Sequence, residues 1–127
     1  DNAVNIAERA VELNMQPVLK PYIDIPRMSR IAQGMVLDTI NAFVDENTVL
    51  AKDVIMRDDA VDDLNRAVCE ELMEIMINDP STITRVVKVT YISKYLERIG
   101  DHATNIAEDV IYMVKGKIIR HMEPGQL

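Results

Sequence analysis

The sequence predicts an all-α fold: an antiparallel three-helix bundle with one further helix in front of it. Three observations carry that expectation. Apolar residues recur at helical spacing along almost the whole chain, with no sustained period-two alternation. Only four glycines and five prolines occur in 127 residues, which leaves little room for strands and hairpins. Apolar content of 48% against 28% charged residues is globular composition, and a chain of this length can bury a core without staples.

The elements follow in order. Asp1–Leu13 carries Ala3, Ile6, Ala7, Ala10 and Val11 at helical spacing. Pro17 and Pro21 break that pattern, and Tyr22 to Ile25 cross to the next element. Pro26 suits the first position of a helix, where its missing N–H costs nothing. From there Met28, Ile31, Met35, Ile40 and Phe43 form a stripe, and Asp45-Glu46-Asn47 ends the helix or caps the next. Thr48–Ile77 reads as one long helix, since Leu50, Val54, Val61, Leu64, Val68, Leu72 and Ile75 keep near-heptad spacing. Asp79 and Pro80 then supply an N-cap and a first turn. The last helix, about Ser81–Lys115, repeats Val89, Ile92, Leu96, Ile99, Ala103, Ile106, Val110 and Met113, with Gly116 as the expected stop. With five aromatics in the chain, the core must be aliphatic, and most of the eight methionines are expected to fill it.

Fourteen Lys and Arg against 21 Asp and Glu leave a net charge of −7 and a pI near 4.7. That balance excludes general binding to nucleic acid or anionic lipid, which select basic surfaces. The lone Cys69 excludes a disulfide framework and a multi-thiolate metal site, and fits a reducing, cytosolic compartment. The charge is concentrated. Residues 45 to 79 hold eleven acids against Lys52, Arg57 and Arg66, a window of −8 that leaves the remainder at +1. Such runs are usually solvated helix faces; the sharper reading is that part of this one collects cations.

The chain also repeats itself. Asp1-Asn2-Ala3-Val4-Asn5-Ile6-Ala7-Glu8 returns as Asp101-His102-Ala103-Thr104-Asn105-Ile106-Ala107-Glu108, identical at six of eight positions at an offset of 100 residues. Self-similarity that covers polar and apolar positions alike signals duplicated units, and this period suits two tandem bundles rather than a solenoid. The expected organisation is therefore residues 1–16 as the end of a preceding repeat's last helix, 17–25 as linker, 26–120 as a three-helix bundle and 121–127 as tail. The first helix exposes an apolar stripe and is expected to dock on the bundle or on a neighbouring chain.

Candidate ligands come from acidic pairs at i and i+4. Glu97 and Asp101 form one such pair in the last helix, Asp58 and Asp62 another in the third, with Asp59 and Asp63 beside it. On a helical wheel, Glu97, Asp101 and Glu108 point away from the stripe centred on Leu96, while Asp58 and Asp62 flank the stripe of their own helix. Like charges at this spacing cost a few tenths of a kcal/mol per pair unless water screens them or a cation bridges them. Oxygen-only ligands suit hard ions such as Mg²⁺, Ca²⁺, Mn²⁺ or iron. His102 points elsewhere, and neither histidine follows a Glu by three residues, as a di-iron carboxylate bundle requires. No nucleophile–base arrangement, glycine-rich phosphate loop or paired-cysteine motif occurs, so the catalytic reading has little support.

The block from Tyr95 to Glu108 closely resembles the signature of the PhoU family, the accessory and regulatory proteins of bacterial phosphate transport. Asp1–Glu8 resembles the end of the same signature in that family's first repeat, and Ile25–Ser29 and Arg57–Asp62 resemble segments of its second. The resemblance implies two tandem three-helix bundles, often dimeric, acting in the cytoplasm. It implies a negative regulator of the phosphate-starvation response that links a phosphate ABC transporter ATPase to a sensor histidine kinase, reaching the membrane only through such partners. It also implies multinuclear clusters of iron or zinc, or another divalent cation, on (E/D)xxxD motifs. By position those are Glu97 and Asp101 in the last helix and Asp58 and Asp62 in the third; Asp1 would be half of a first-repeat motif, and Asn105 and Glu108 belong to the signature with a less definite role. The alternatives are a metal-dependent hydrolase or metal-storage bundle, and an accessory protein of another phosphate or ion transporter.

Overall fold

The computed structural model describes residues 1–14, 24–122 and 125, and all regular structure among them is helical. Helix α1 spans Asn2–Asn14, α2 Asp24–Asp45, α3 Thr48–Asn78 and α4 Ile83–Arg120, with a single 3₁₀ turn, Pro80–Thr82, before α4. Helices α2, α3 and α4 pack pairwise as a three-helix bundle, and α1 lies along α4. The expected breaks at Pro17 and Pro21, and nearly all of the expected linker, fall outside the described residues. Of the expected tail, only His121, Met122 and Gly125 are described.

Local chemistry sets the corners. Between α2 and α3, Glu46 adopts a left-handed φ of 51°, and the Asn47 side chain accepts a hydrogen bond from the Leu50 N–H at 3.0 Å. That cap satisfies one of the orphan donors at the start of α3. Asp79 does the same at the next corner, where its Oδ1 accepts from the Ser81 N–H at 3.1 Å and the Ser81 hydroxyl at 2.7 Å. Helix α2 starts two residues earlier than expected, at Asp24, and takes Pro26 within its first turn, where a proline removes no intrahelical bond.

Met28 and Met35 from α2, Val54, Val61 and Leu72 from α3, and Val110 from α4 are shut off from solvent. Ala32, Ala42, Ala51, Ala103 and Ala107 are buried among them, and such small residues let helix axes approach closely. Met56 and Met73 are exposed, so the methionines fill the core only in part.

Two expectations for α4 are corrected. The helix runs through Gly116 to Arg120 and closes at His121, whose N–H bonds back to the Lys117 and Ile118 carbonyls. No glycine has positive φ, so Gly116 is a helical residue and not a left-handed stop. The buried stripe also differs, since Ile106 is 48% exposed while Ser93, Gly100 and Ala107 are buried. Counting these small residues turns the buried face by roughly 40° toward Glu97 and Asp101. Glu97 and Asp101 therefore sit at the shoulder of the core, beside α3, while Glu108 points to solvent as expected.

Helix α1 packs antiparallel to α4, as docking of its apolar stripe requires. Glu12 meets Lys88 at 3.6 Å, the Arg9 guanidinium lies 5.5 Å above the Tyr91 ring, and Ile6 and Leu13 pack against the core.

Candidate metal centre

The i, i+4 spacing in α3 points Asp58 and Asp62 the same way, toward the shoulder of α4 that carries Asp101. Carboxylate oxygens of Asp58, Asp62 and Asp101 all lie within 4.8 Å of one another, Asp58 and Asp62 being half-buried and Asp101 exposed. Glycine makes this approach possible. A Cβ on Gly100 would stand 3.2 Å from Asp58 Oδ1 and 3.7 Å from Val61 Cγ1 and Met35 Cε. Any side chain at this buried position would press on the carboxylate.

The electrostatics follow from that crowding. Burial first, then the charges of Asp62, Asp101, Asp59 and Glu97, push the Asp58 carboxyl up to about 6. Asp62 is raised too, by burial and then by Glu97 and Asp101, with Arg66 working in the opposite direction. The adjacent cation does not relieve Asp58, because Arg57 is engaged by Asp38 and Asp53.

These residues fit a hard divalent cation on grounds of their own. Asp58 Oδ1 is buried and has no hydrogen-bond partner among the described residues, and buried polar atoms are rarely left so. A cation between the three aspartates would satisfy that oxygen and reverse the mutual repulsion. An all-carboxylate set selects oxygen-seeking ions. Glu97 flanks the group: its Oε2 accepts from Asn65 Nδ2 at 2.7 Å, and Lys94 Nζ lies 3.8 Å from Oε1.

The structure thus brings together Asp58, Asp62 and Asp101, with Glu97 alongside. The other candidates lie apart from this group. Asp1 caps α1, its Oδ1 accepting from the Ala3 N–H at 2.8 Å and the Val4 N–H at 3.3 Å. Asn105 and Glu108 are exposed, as are Asp59 and Asp63, the last paired with Arg66. His102 borders a different surface, an open apolar groove between α2 and α4 with Val36, Ile40, Phe43 and Ile106. Sequence reasoning missed Asn65, Ser93 and Gly100. The available signal was a polar residue, Asn65, on the buried face that Val61, Val68 and Leu72 define.

Comparison with known proteins identifies the family and the fold. A family model described as the PhoU domain matches residues 25–110. The chain is 45% identical over 121 residues to the phosphate-specific transport system accessory protein PhoU homolog of Aquifex aeolicus, covering 95% of this chain and 55% of that protein. Its counterpart in Pseudomonas aeruginosa is 37% identical over 123 residues, covering 96% of this chain and 51% of that protein. The crystal structure of PhoU from Pseudomonas aeruginosa superposes with a TM-score of 0.86 at 37% identity, over 91% of this chain and 56% of that one. The chain spans about half the length of the curated relatives it matches.

Proposed function

The chain belongs to the PhoU family, and from that premise we propose that it serves phosphate uptake as a non-enzymatic accessory protein whose acidic α3–α4 seam holds a divalent cation. The observation that carries the cation site is the Asp58–Asp62–Asp101 group around Gly100, with its unpartnered buried oxygen. Asp58, Asp62 and Asp101 would hold the ion, with Glu97 beside them; the family resemblance points to iron or zinc, and the all-oxygen donor set best suits a hard ion such as Mn²⁺ or iron. When bound, the ion supplies charge neutralisation between the two longest helices. The chain's own residues would set its place, since Gly100 leaves the room beside Val61 and Met35 that Asp58 occupies.

In this reading the protein is cytoplasmic and meets the membrane only through partners; no described helix is long and apolar enough to cross one. The partners are a phosphate ABC transporter ATPase and a sensor histidine kinase, and the protein restrains phosphate-starvation signalling while the transporter is supplied. The relatives' names, accessory proteins of the phosphate-specific transport system, support the coarser part of this role.

We further infer that α1 belongs to the end of a preceding repeat's last helix and that α2, α3 and α4 form the bundle of the next. The register of α1 on α4 supports it. Glu12 opposite Lys88 and Arg9 opposite Tyr91, combined with the 100-residue offset of the repeat, relate the two helices by an approximate two-fold axis near Gly100. Duplicated units commonly pack in this symmetric way.

The test is co-purification of the full-length protein with the transporter ATPase and the kinase, alongside phosphate-responsive gene expression. Charge reversal at Glu97 and Asp101 is expected to release the partners and derepress the response. Unchanged expression after deletion of the gene would contradict the adaptor role. Phosphatase turnover with Mn²⁺ that disappears in Asp101→Ala would favour an enzyme instead.

A further inference from the structure

Two polar side chains sit where the bundle core calls for apolar ones. Ser93 is fully buried, Asn65 is 6% exposed, and Val61, Val68 and Leu72 surround Asn65 on its own helix face. Every polar atom of the pair is engaged in one directed chain. The Ser93 hydroxyl donates to Asn65 Oδ1 at 2.6 Å, with Met28 Sδ a second neighbour at 3.5 Å, and the Cys69 thiol approaches the same Oδ1 at 3.8 Å. With Oδ1 occupied from that side, the amide turns its Nδ2 outward, to Glu97 Oε2 at 2.7 Å.

Glu97 needs such a tether. It stands in a seam of like charge, where its charge helps to raise the Asp62 carboxyl, and Lys94 offers an alternative partner, its Nζ 3.8 Å from Glu97 Oε1. Left alone, its carboxylate would move toward solvent and the lysine.

Resting on the cation site proposed above, we propose that Asn65, locked by Ser93, is a positioning residue that holds Glu97 beside Asp62 as the fourth carboxylate of that site. A hydrogen bond that holds a metal-binding carboxylate from behind fixes its orientation, and its loss commonly weakens metal binding by about 10–100-fold. The role differs from core packing: an isosteric apolar side chain would satisfy packing and fail to hold Glu97.

The test is calorimetric titration of the metal-free full-length protein with Mn²⁺, comparing wild type, Asn65→Leu, Glu97→Gln and the double variant, with circular dichroism to establish folding. Asn65→Leu is expected to lose about 10–100-fold in affinity, as Glu97→Gln does, and the double variant is expected to bind no more weakly than Glu97→Gln alone. Wild-type affinity in Asn65→Leu, or losses that simply multiply in the double variant, would overturn the positioning role. Ser93→Ala, which frees the amide but keeps it, is expected to weaken binding less; if Asn65→Leu does not fold, wild-type affinity in Ser93→Ala overturns the proposal. No saturable Mn²⁺ binding by wild type overturns both proposals, whereas wild-type binding lost in Asp101→Asn but kept in Asn65→Leu overturns this one alone.

Discussion

The two halves of the α3–α4 seam are built to opposite specifications. Toward the Asp79 corner, Val68 and Leu72 of α3 and Val86 and Val89 of α4 all belong to the buried aliphatic core. Toward the middle of α4, the same pair of helices brings Asp58, Asp62 and Asp101 together over a glycine. One half supplies stability through burial; the other gives some back by crowding carboxylates. The lesson is that a helix pair can hold a strained polar group only where a neighbouring stretch over-determines the packing.

That contrast can be broken at either end. The largest effect on stability is expected from Leu72→Ala, which opens a cavity in the dry half and should cost about 2–5 kcal/mol in chemical denaturation. Mn²⁺ affinity should not change in this variant. A parallel loss of binding would show that the halves are not separable.

Asp58→Asn probes the other half. The folded carboxyl titrates near 6 while the unfolded one titrates near 3.8, so folding disfavours its ionised form. This contribution is absent as a penalty below pH 3.8, grows as the pH rises toward 6, and is fully destabilising above it. After allowance for solvent screening the penalty is on the order of 1 kcal/mol. Asp58→Asn should therefore stabilise the metal-free protein at pH 7 by about that amount, and flatten the wild-type decline in melting temperature between pH 4 and 6. It should also abolish cation binding. A destabilised Asp58→Asn would contradict the crowding argument.

The smallest expected stability change is at Gly100→Ala. Alanine improves helix propensity by about 1 kcal/mol, and the contact with Asp58 Oδ1 at 3.2 Å takes back part of that gain. Stability should stay within about 1 kcal/mol of wild type while Mn²⁺ affinity falls, because Asp58 must move aside. Unchanged affinity would show that the glycine is not what admits the ion.

Helical spacing made most of the fold legible. The expected third helix, Thr48–Ile77, differs from α3 by one residue at its end, and Asp79 and Pro80 turn the chain as anticipated. Small residues caused the misreadings. Gly116 reads as a stop in the sequence, yet a glycine without positive φ inside a helix that runs on to Arg120 terminates nothing. Ser93, Gly100 and Ala107 carry no weight in an apolar stripe, although all three are buried and Ser93 and Gly100 face α3 directly. Omitting them turned Glu97 and Asp101 away from the seam they border. Spacing within each helix offers Asp58 with Asp62, Asp59 with Asp63 and Glu97 with Asp101 alike, and the family resemblance favours the first and last pairs. Only the packing of two helices shows that Asp58, Asp62 and Asp101 meet and that Glu108 does not join them.

The central claim is that the acidic half of the seam is a cation site. Melting the full-length, metal-free protein at pH 7 with and without saturating Mn²⁺, against Asp101→Asn, tests it most directly. A ligand at 100 times its Kd adds about 2.7 kcal/mol of stability, so wild type should melt several degrees higher with the ion and Asp101→Asn should not respond. Equal responses in both proteins, or none in wild type, would contradict the account.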